Sequence, residues 1–132
     1  MPKKIFIIDD SVVARKMLRR FIPAELGYEL SEARDGREGL EMFKRISPDI
    51  TFLDLTMPVM DGVEALKEIK RFDQGAVVIV NTADVQPRSI EQVMELGALM
   101  VLKKPPAQES VAEAISKAEG AREGLDDQGT QP

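Results

Sequence analysis

A few polar residues at the ends of apolar runs supply the groups in this chain that could do chemistry. Asp9 and Asp10, Asp54, Thr82 and Lys104 each follow a short run rich in apolar or β-branched residues. Carboxylates held close together repel one another, and their pKa values rise unless a cation lies beside them. The simplest cation is a hard divalent ion, and Mg²⁺ suits because it takes few protein carboxylates and keeps waters for a phosphoryl ligand. A Lys104–Asp54 salt bridge without a metal is the alternative, but it would leave Asp9 and Asp10 uncompensated.

The residue types that are missing narrow the possible chemistry. The chain has no cysteine and no histidine, which excludes disulfides, thiolate nucleophiles, a Ser-His-Asp triad and imidazole-ligated zinc. Carboxylate, ammonium and hydroxyl groups remain for catalysis. The 18 basic and 23 acidic side chains give a net charge of −5, which argues against nucleic acid as the main partner.

Length and hydropathy indicate the kind of protein. A chain of 132 residues has the size of one domain with one core. No apolar run approaches the roughly 18 residues that a membrane span needs, and the apolar run near the N-terminus is too short for a signal peptide. We therefore expect a cytoplasmic protein without a membrane partner.

Apolar runs alternate with amphipathic segments, and this alternation predicts the elements that position the polar residues. The strands are predicted at 3–8, 27–33, 50–53, 76–80 and 98–102, and the helices at 12–22, 37–46, 63–71, 87–96 and 108–120. This order predicts a three-layer (βα)5 sandwich of the α/β class with a central five-stranded parallel sheet. Because crossovers share one hand, the carboxyl ends of all strands lie at one edge. We therefore expect Asp9, Asp10, Asp54, Thr82 and Lys104 to meet there.

The first predicted helix has a basic face. Its apolar arc is predicted to contain Val13, Ala14, Met17, Leu18, Phe21 and Ile22. Arg15, Lys16, Arg19 and Arg20 occupy the opposite arc. Two interpretations stay open: a solvated face, or a docking face for an acidic partner.

The end of the chain has a different composition. Residues 121–132 carry no apolar period and are rich in Gly, Gln and Asp. Such a composition is typical of segments that do not pack. We expect one domain at 1–120 and a flexible C-terminal tail at 121–132.

These motifs together resemble the receiver domain of bacterial response regulators, over residues 3–120. The matching stretches are Ile7-Ile8-Asp9-Asp10-Ser11, Ala33-Arg34-Asp35-Gly36, Leu53-Asp54-Leu55-Thr56-Met57-Pro58-Val59-Met60-Asp61-Gly62, Thr82-Ala83 and Lys104-Pro105. Each stretch alone is weak evidence, but the set in this order is highly specific. The resemblance implies the flavodoxin-like receiver fold, and it is strongest to the stand-alone chemotaxis (CheY-like) members.

The resemblance also implies a phosphorylation site that uses Mg²⁺. Asp54 matches the phosphoacceptor, which takes a phosphoryl group from a kinase phosphohistidine or a small acyl phosphate. Asp10 and Asp54 match direct Mg²⁺ ligands, and Asp9 would help through water. The backbone carbonyl of Thr56 matches the third protein ligand.

The remaining implied roles concern charge neutralisation and signalling. Lys104 matches the lysine that pairs with the phosphoryl oxygens, and the Lys104-Pro105 peptide bond is cis in the family. Thr82 matches the switch hydroxyl, whose movement would change the surface formed by helix 4, strand 5 and helix 5. The implied partners are a sensor histidine kinase, a downstream protein on that surface and a phosphatase. The implied state is a monomer that is not an enzyme beyond its own phosphorylation and dephosphorylation.

The sequence departs from the family pattern at two positions near the predicted site. Val101 stands where many members carry the Tyr or Phe whose rotation reports activation, so the output surface is expected to switch by loop movement alone. Pro106 replaces a common Phe, which should stiffen the loop after strand 5.

Three rival functions deserve comparison. A phosphatase of the haloacid dehalogenase type needs a second Asp two residues after the nucleophile, where this chain has Thr56. A flavodoxin-like flavin binder is disfavoured because Asp9 and Asp10 would repel the flavin phosphate. A pseudo-receiver, which binds partners without being phosphorylated, is the remaining alternative. Its usual sign is a lost acceptor, lysine or acidic pair, and this chain has lost none of them.

Overall fold

The computed structural model describes residues 3–130, with side chains through Glu123. The elements in chain order are β1 (Lys4–Ile8), α1 (Val12–Phe21), a short 3₁₀ helix (Ala24–Leu26), β2 (Glu29–Ala33), α2 (Gly36–Ile46), β3 (Ile50–Leu53), α3 (Gly62–Phe72), β4 (Val78–Thr82), α4 (Pro87–Glu95), β5 (Met100–Lys103) and α5 (Gln108–Thr130). Within residues 3–130, no helix is both long and apolar enough to cross a bilayer.

The strands form one parallel sheet in the order β2-β1-β3-β4-β5. Successive side chains of a strand face opposite sides of the sheet, and this divides the core. Phe6 and Ile8 pack with residues of α2, α3 and α4, while Ile5 and Ile7 pack with residues of α1 and α5. The predicted three-layer sandwich is therefore confirmed.

Main-chain hydrogen bonds align the strand ends that carry the polar residues. The Asp9 N–H donates to the Ala33 carbonyl at 3.1 Å, and the Asp54 N–H donates to the Ile8 carbonyl at 3.0 Å. On the other side of the sheet, the Lys104 N–H donates to the Thr82 carbonyl at 2.9 Å. The ladder thus fixes the relative heights of these residues along one edge of the sheet.

The predicted end of the last helix was wrong. It was placed at Gly120, whereas α5 extends to Thr130. The inward face continues past Gly120, because Ala121 packs against the core and Arg122 Nη2 lies 3.1 Å from Asp49 Oδ1. The flexibility expected of 121–132 stays a prediction, and residues 131–132 lie outside the described part of the chain.

The predicted apolar face of α1 was partly wrong. Leu18 and Ile22 are buried as expected, but Val13 is 71% exposed and Arg15 only 8% exposed. Arg15, Leu18 and Ile22 follow the i, i+3, i+7 spacing of one helical stripe. The buried stripe is therefore centred on these three residues, and Arg15 does not belong to a solvated basic face.

The loop between β3 and α3 depends on a glycine. A Cβ atom at Gly62 would lie 2.0 Å from the Asp54 carbonyl oxygen and 2.5 Å from Leu55 Cα. Asp61 caps α3 by accepting a hydrogen bond from the Glu64 N–H at 2.9 Å, a role for which aspartate is favoured at the start of a helix. Because Gly62 has no side chain, the start of α3 lies against the main chain of Asp54 and Leu55.

The same loop holds Val59 in the left-handed region, with φ of 70°. For an L-residue this region costs about 1–2 kcal/mol, and β-branched side chains suit it poorly. Val59 is 73% exposed, so it gains little packing in return. Val59→Gly is therefore expected to raise the free energy of unfolding by about 1 kcal/mol, measured by urea denaturation.

Val13→Gly is the matched control for this change. Val13 is 71% exposed but lies in α1, so glycine there should lower the free energy of unfolding by up to about 1 kcal/mol. Equal destabilisation by both variants would show that the backbone at Val59 is not strained.

Candidate functional site

Three carboxylates meet at the carboxyl edge of the sheet, as the sequence predicts. One oxygen from each of Asp9, Asp10 and Asp54 lies within 4.8 Å of the others. Asp9 and Asp54 are buried, with 1% and 4% of their surface exposed, whereas Asp10 is exposed. The cluster therefore has two oxygens held inside the protein and one at its surface.

Lys104 lies between the two buried carboxylates. Its Nζ is 2.8 Å from Asp9 Oδ2 and 3.3 Å from Asp54 Oδ2. The neighbouring Lys103 is exposed at the end of β5, which identifies Lys104 as the lysine of the site. The expectation that a lysine bridge would leave Asp9 uncompensated was wrong, because the ammonium contacts Asp9 more closely than Asp54.

The electrostatics of the site leave an excess of negative charge. Burial raises the pKa of Asp54, as does the nearby charge of Asp9, while Lys104 and the main chain of Thr56 lower it, and the net shift is upward. Burial lowers the pKa of Lys104, but its hydrogen bonds and attractions to Asp9 and Asp54 outweigh burial and raise it. Three carboxylates and one ammonium leave two negative charges. These donors fit a hard divalent cation such as Mg²⁺.

Thr82 lies at the end of β4 and is fully buried. Its hydroxyl oxygen accepts a hydrogen bond from the Asp84 N–H at 3.1 Å. Asp84 in turn accepts from the Ser89 hydroxyl on α4 at 2.8 Å. A short chain of hydrogen bonds therefore connects the Thr82 hydroxyl to the first turns of α4.

Two further features expected from the resemblance are placed by the structure. The Lys104-Pro105 peptide bond is cis. The side chain of Thr56 is exposed, and Thr56 lines a surface cavity together with residues of the β4–α4 loop, including Ala83 and Asp84. Thr56 therefore stands beside the loop that carries Thr82.

The sequence reasoning missed Arg15 and Glu32. Arg15 Nη1 donates to the Asp9 carbonyl at 2.6 Å, and Arg15 Nε donates to Glu32 Oε1 at 2.8 Å. The signal was present, because Arg15 shares a helical stripe with Leu18 and Ile22. Hydropathy alone does not reveal that Arg15 is buried, because arginine ranks among the most polar residues of α1.

The chain is similar to known proteins in sequence. It belongs to the response regulator receiver domain family, which matches residues 5–116. It is 38% identical over 117 residues to the chemotaxis protein CheY of Halobacterium salinarum, covering 88% of this chain and 96% of that protein. It is 39% identical over 118 residues to CheY of Thermotoga maritima, covering 89% and 98%.

A solved structure supports the same class. The CheX–CheY–BeF3–Mg²⁺ complex of Borrelia burgdorferi includes a chain that is 30% identical, with a TM-score of 0.84 and coverage of 90% of both chains. The two sequence relatives are CheY proteins, and the solved complex contains a CheY. The chain is therefore a CheY-like receiver domain of two-component signalling.

Proposed function

We propose that this chain acts as a CheY-like response regulator that accepts a phosphoryl group on the carboxylate of Asp54 from a histidine kinase. The observation that carries the proposal is the position of the Lys104 ammonium, within 2.8 Å of Asp9 and 3.3 Å of Asp54. Phosphoryl transfer depends on positioning and on neutralising charge more than on covalent catalysis by the protein. A buried carboxylate beside a fixed ammonium meets part of that need, and a cation held by the three carboxylates would supply the rest of the positive charge.

The proposed step forms one bond and breaks one. A carboxylate oxygen of Asp54 attacks the phosphorus, and the bond from phosphorus to the donor's histidine nitrogen or acyl oxygen breaks. The electron pair of that bond leaves with the donor. Bound Mg²⁺, held by Asp10, Asp54 and the Thr56 carbonyl with Asp9 acting through water, would supply positive charge to the phosphoryl oxygens. The distance of 3.3 Å from Lys104 Nζ to Asp54 Oδ2 supports the proposal that this ammonium pairs with another of those oxygens.

The proposed signal passes through Thr82. In this structure its hydroxyl accepts from the Asp84 N–H, so a phosphoryl group that draws the hydroxyl toward Asp54 must replace this bond. The β4–α4 loop would move, and the surface of α4, β5 and α5 would change with it. Val101 is half-buried on β5 and packs against the core. With no aromatic ring at that position, loop movement carries the proposed change.

The relatives support a chemotaxis pathway and suggest its partners. Both sequence relatives are chemotaxis proteins, and the Borrelia CheY is seen with CheX. We extend this to a sensor kinase, a downstream target on the α4–β5–α5 surface and a phosphatase as partners of this chain, and we propose that the chain functions as a monomer.

The test of phosphorylation at Asp54 is intact mass after incubation with acetyl phosphate, with and without Mg²⁺. A single phosphoryl adduct that requires Mg²⁺ is expected.

The structure changes which basic residues of α1 could form a docking face for a kinase. Arg15 is buried against the site, so reversing its charge would damage the site itself. Lys16 and Arg20 are exposed on α1 and are the better candidates for contact with an acidic kinase surface. The Lys16→Glu/Arg20→Glu variant is expected to accept phosphoryl from the cognate kinase about 10-fold more slowly, because rim charges mainly set association rates. Transfer from acetyl phosphate should be unchanged.

The control variant, Arg45→Glu/Lys67→Glu, has the same change in net charge at another place. Arg45 on α2 and Lys67 on α3 are exposed on the other face of the sheet, and this variant should accept phosphoryl from the kinase and from acetyl phosphate at the wild-type rates. Equal slowing with kinase and acetyl phosphate in the α1 variant would remove α1 as the docking face.

A further inference from the structure

Arg15 is a buried cation that the proposed transfer step does not use. It is 8% exposed, and its guanidinium makes two contacts in different directions. Nη1 donates to the carbonyl oxygen of Asp9 at 2.6 Å, and Nε donates to Glu32 Oε1 at 2.8 Å. The second oxygen of Glu32, Oε2, accepts a hydrogen bond at 2.8 Å from Nη1 of Arg19, which is exposed on α1. A chain of charge-assisted hydrogen bonds thus runs from the surface of α1 through the edge strand β2 to the main chain of Asp9.

The contact with Arg15 completes the restraint of Asp9. The N–H of Asp9 is held by Ala33, its Oδ1 by the Ser11 N–H at 2.9 Å, and its Oδ2 by Lys104 at 2.8 Å. The carbonyl oxygen is the remaining polar group, and Arg15 fixes it. A fixed carbonyl sets the plane of the peptide that joins Asp9 to Asp10, and with it the direction in which the chain leaves β1.

We propose that Arg15 is a positioning residue that fixes the Asp9–Asp10 peptide and thereby sets the spacing of the carboxylates that bind the cation. This proposal rests on the proposed function, since it assigns Arg15 a part in building the Mg²⁺ site. Partners that hold metal ligands from behind typically change metal affinity by about 10- to 100-fold when removed.

The guanidinium shape is essential to this role. Its planar fork of donors reaches the Asp9 carbonyl and Glu32 at once, whereas the ammonium of a lysine is a single point charge on a flexible stem. A buried ion pair such as Arg15–Glu32 is by itself weak evidence for a stabilising role. Positioning therefore accounts for a buried arginine on a helical stripe where an apolar residue would pack well.

A second role for Arg15 predicts the opposite result, which makes the proposal easy to test. If Arg15 acted only through its charge, its removal would take a positive charge away from the carboxylates, and Mg²⁺ would bind more tightly. If Arg15 positions the peptide, its removal weakens Mg²⁺ binding even though a repulsive charge is lost. Arg15→Lys separates the two further, because it keeps the charge but loses the fork.

The experiment is calorimetric titration of Mg²⁺ into the wild type, Arg15→Met, Arg15→Lys and Arg45→Met. The last variant removes an exposed arginine from α2, on the other face of the sheet, and is expected to match the wild type. Positioning predicts that both Arg15 variants bind Mg²⁺ about 10-fold more weakly. Wild-type or tighter binding by Arg15→Met would overturn the proposal. If Arg15→Met does not fold, the comparison of Arg15→Lys with the wild type decides.

A metal-free measurement separates failure of this proposal from failure of the proposed function. The Ser11 N–H, bonded to Asp9 Oδ1, reports directly on the restraint of Asp9. In the absence of Mg²⁺, the amide hydrogen exchange of Ser11 should accelerate in both Arg15 variants but not in Arg45→Met. If the wild type binds no Mg²⁺, the proposed function fails and this exchange still tests the positioning role. Unchanged exchange would overturn it.

Discussion

The Asp54→Asn variant is expected to lose the Mg²⁺-dependent phosphoryl adduct completely. The amide of asparagine has no carboxylate oxygen with which to attack phosphorus, and it gives the cation one weaker oxygen in place of a charged one. Asp54 is 4% exposed and lies between the Leu55 N–H, at 2.8 Å from Oδ1, and Lys104. Asparagine fits the same volume, so the fold should persist while the reaction stops. Intact mass after incubation with acetyl phosphate and Mg²⁺ measures the result.

Asp61→Asn provides the matched control. Asp61 lies in the same loop and caps α3 through the Glu64 N–H, a task that asparagine performs about as well. This variant should form the adduct like the wild type. An adduct that persists in Asp54→Asn would place the acceptor elsewhere. A wild type that binds Mg²⁺ but forms no adduct would favour the pseudo-receiver alternative, in which partners are bound without phosphorylation.

The periodicity of the sequence was sufficient to predict the layers and the edge where the site forms. The central strands β1, β3 and β4 are buried on both faces. The polar residues that follow the strands are brought together by a parallel sheet whose crossovers share one hand. Element boundaries were less accurate. The strand predicted at 76–80 is β4 at Val78–Thr82, because polar Asn81 and Thr82 are held in the sheet by pairing with β5.

Contacts between distant segments could not be predicted from local pattern. The pairing of Lys104 with Asp9 joins segments that are 95 residues apart, and the sequence indicates only that both lie at one edge. The burial of Arg15 depends on Glu32 of β2 as its partner, and neither a helical wheel nor hydropathy contains that information. Spatial neighbours from other strands therefore decided which charged residues belong to the site.

Replacing Lys104 with methionine is expected to have a large effect on both function and stability. One positioned donor to a charged transition state is typically worth about 100-fold in rate, so adduct formation from acetyl phosphate should slow by about that factor. In the metal-free protein, Asp9 and Asp54 would lose their shared cation, 2.8 and 3.3 Å away. Leaving buried charges unpaired should cost about 2 kcal/mol at neutral pH, since Lys104 is partly exposed.

The loss of stability caused by Lys104→Met should depend on pH and increase as the pH rises. The pKa of Asp54 is already raised above 3.8 by burial and by Asp9, and Lys104 opposes that rise. Removing Lys104 raises the pKa of Asp54 in the folded state further. At pH values between the pKa of Asp54 in the unfolded chain and its pKa in the folded protein, the folded protein keeps a proton that the unfolded chain has lost. Stability must therefore fall as the pH rises through this range. The deficit should be small near pH 4 and largest at neutral pH, as measured by urea denaturation in EDTA.

Lys103→Met isolates the contribution of position from that of charge. Lys103 is exposed and adjacent in sequence, so its loss should change stability by less than about 0.5 kcal/mol and leave phosphorylation intact. Added Mg²⁺ should restore part of the stability lost in Lys104→Met, because a cation bound by the three carboxylates replaces the missing positive charge. A deficit that is independent of both pH and Mg²⁺ would mean that Lys104 contributes packing alone, and the charge balance proposed for the site would be wrong.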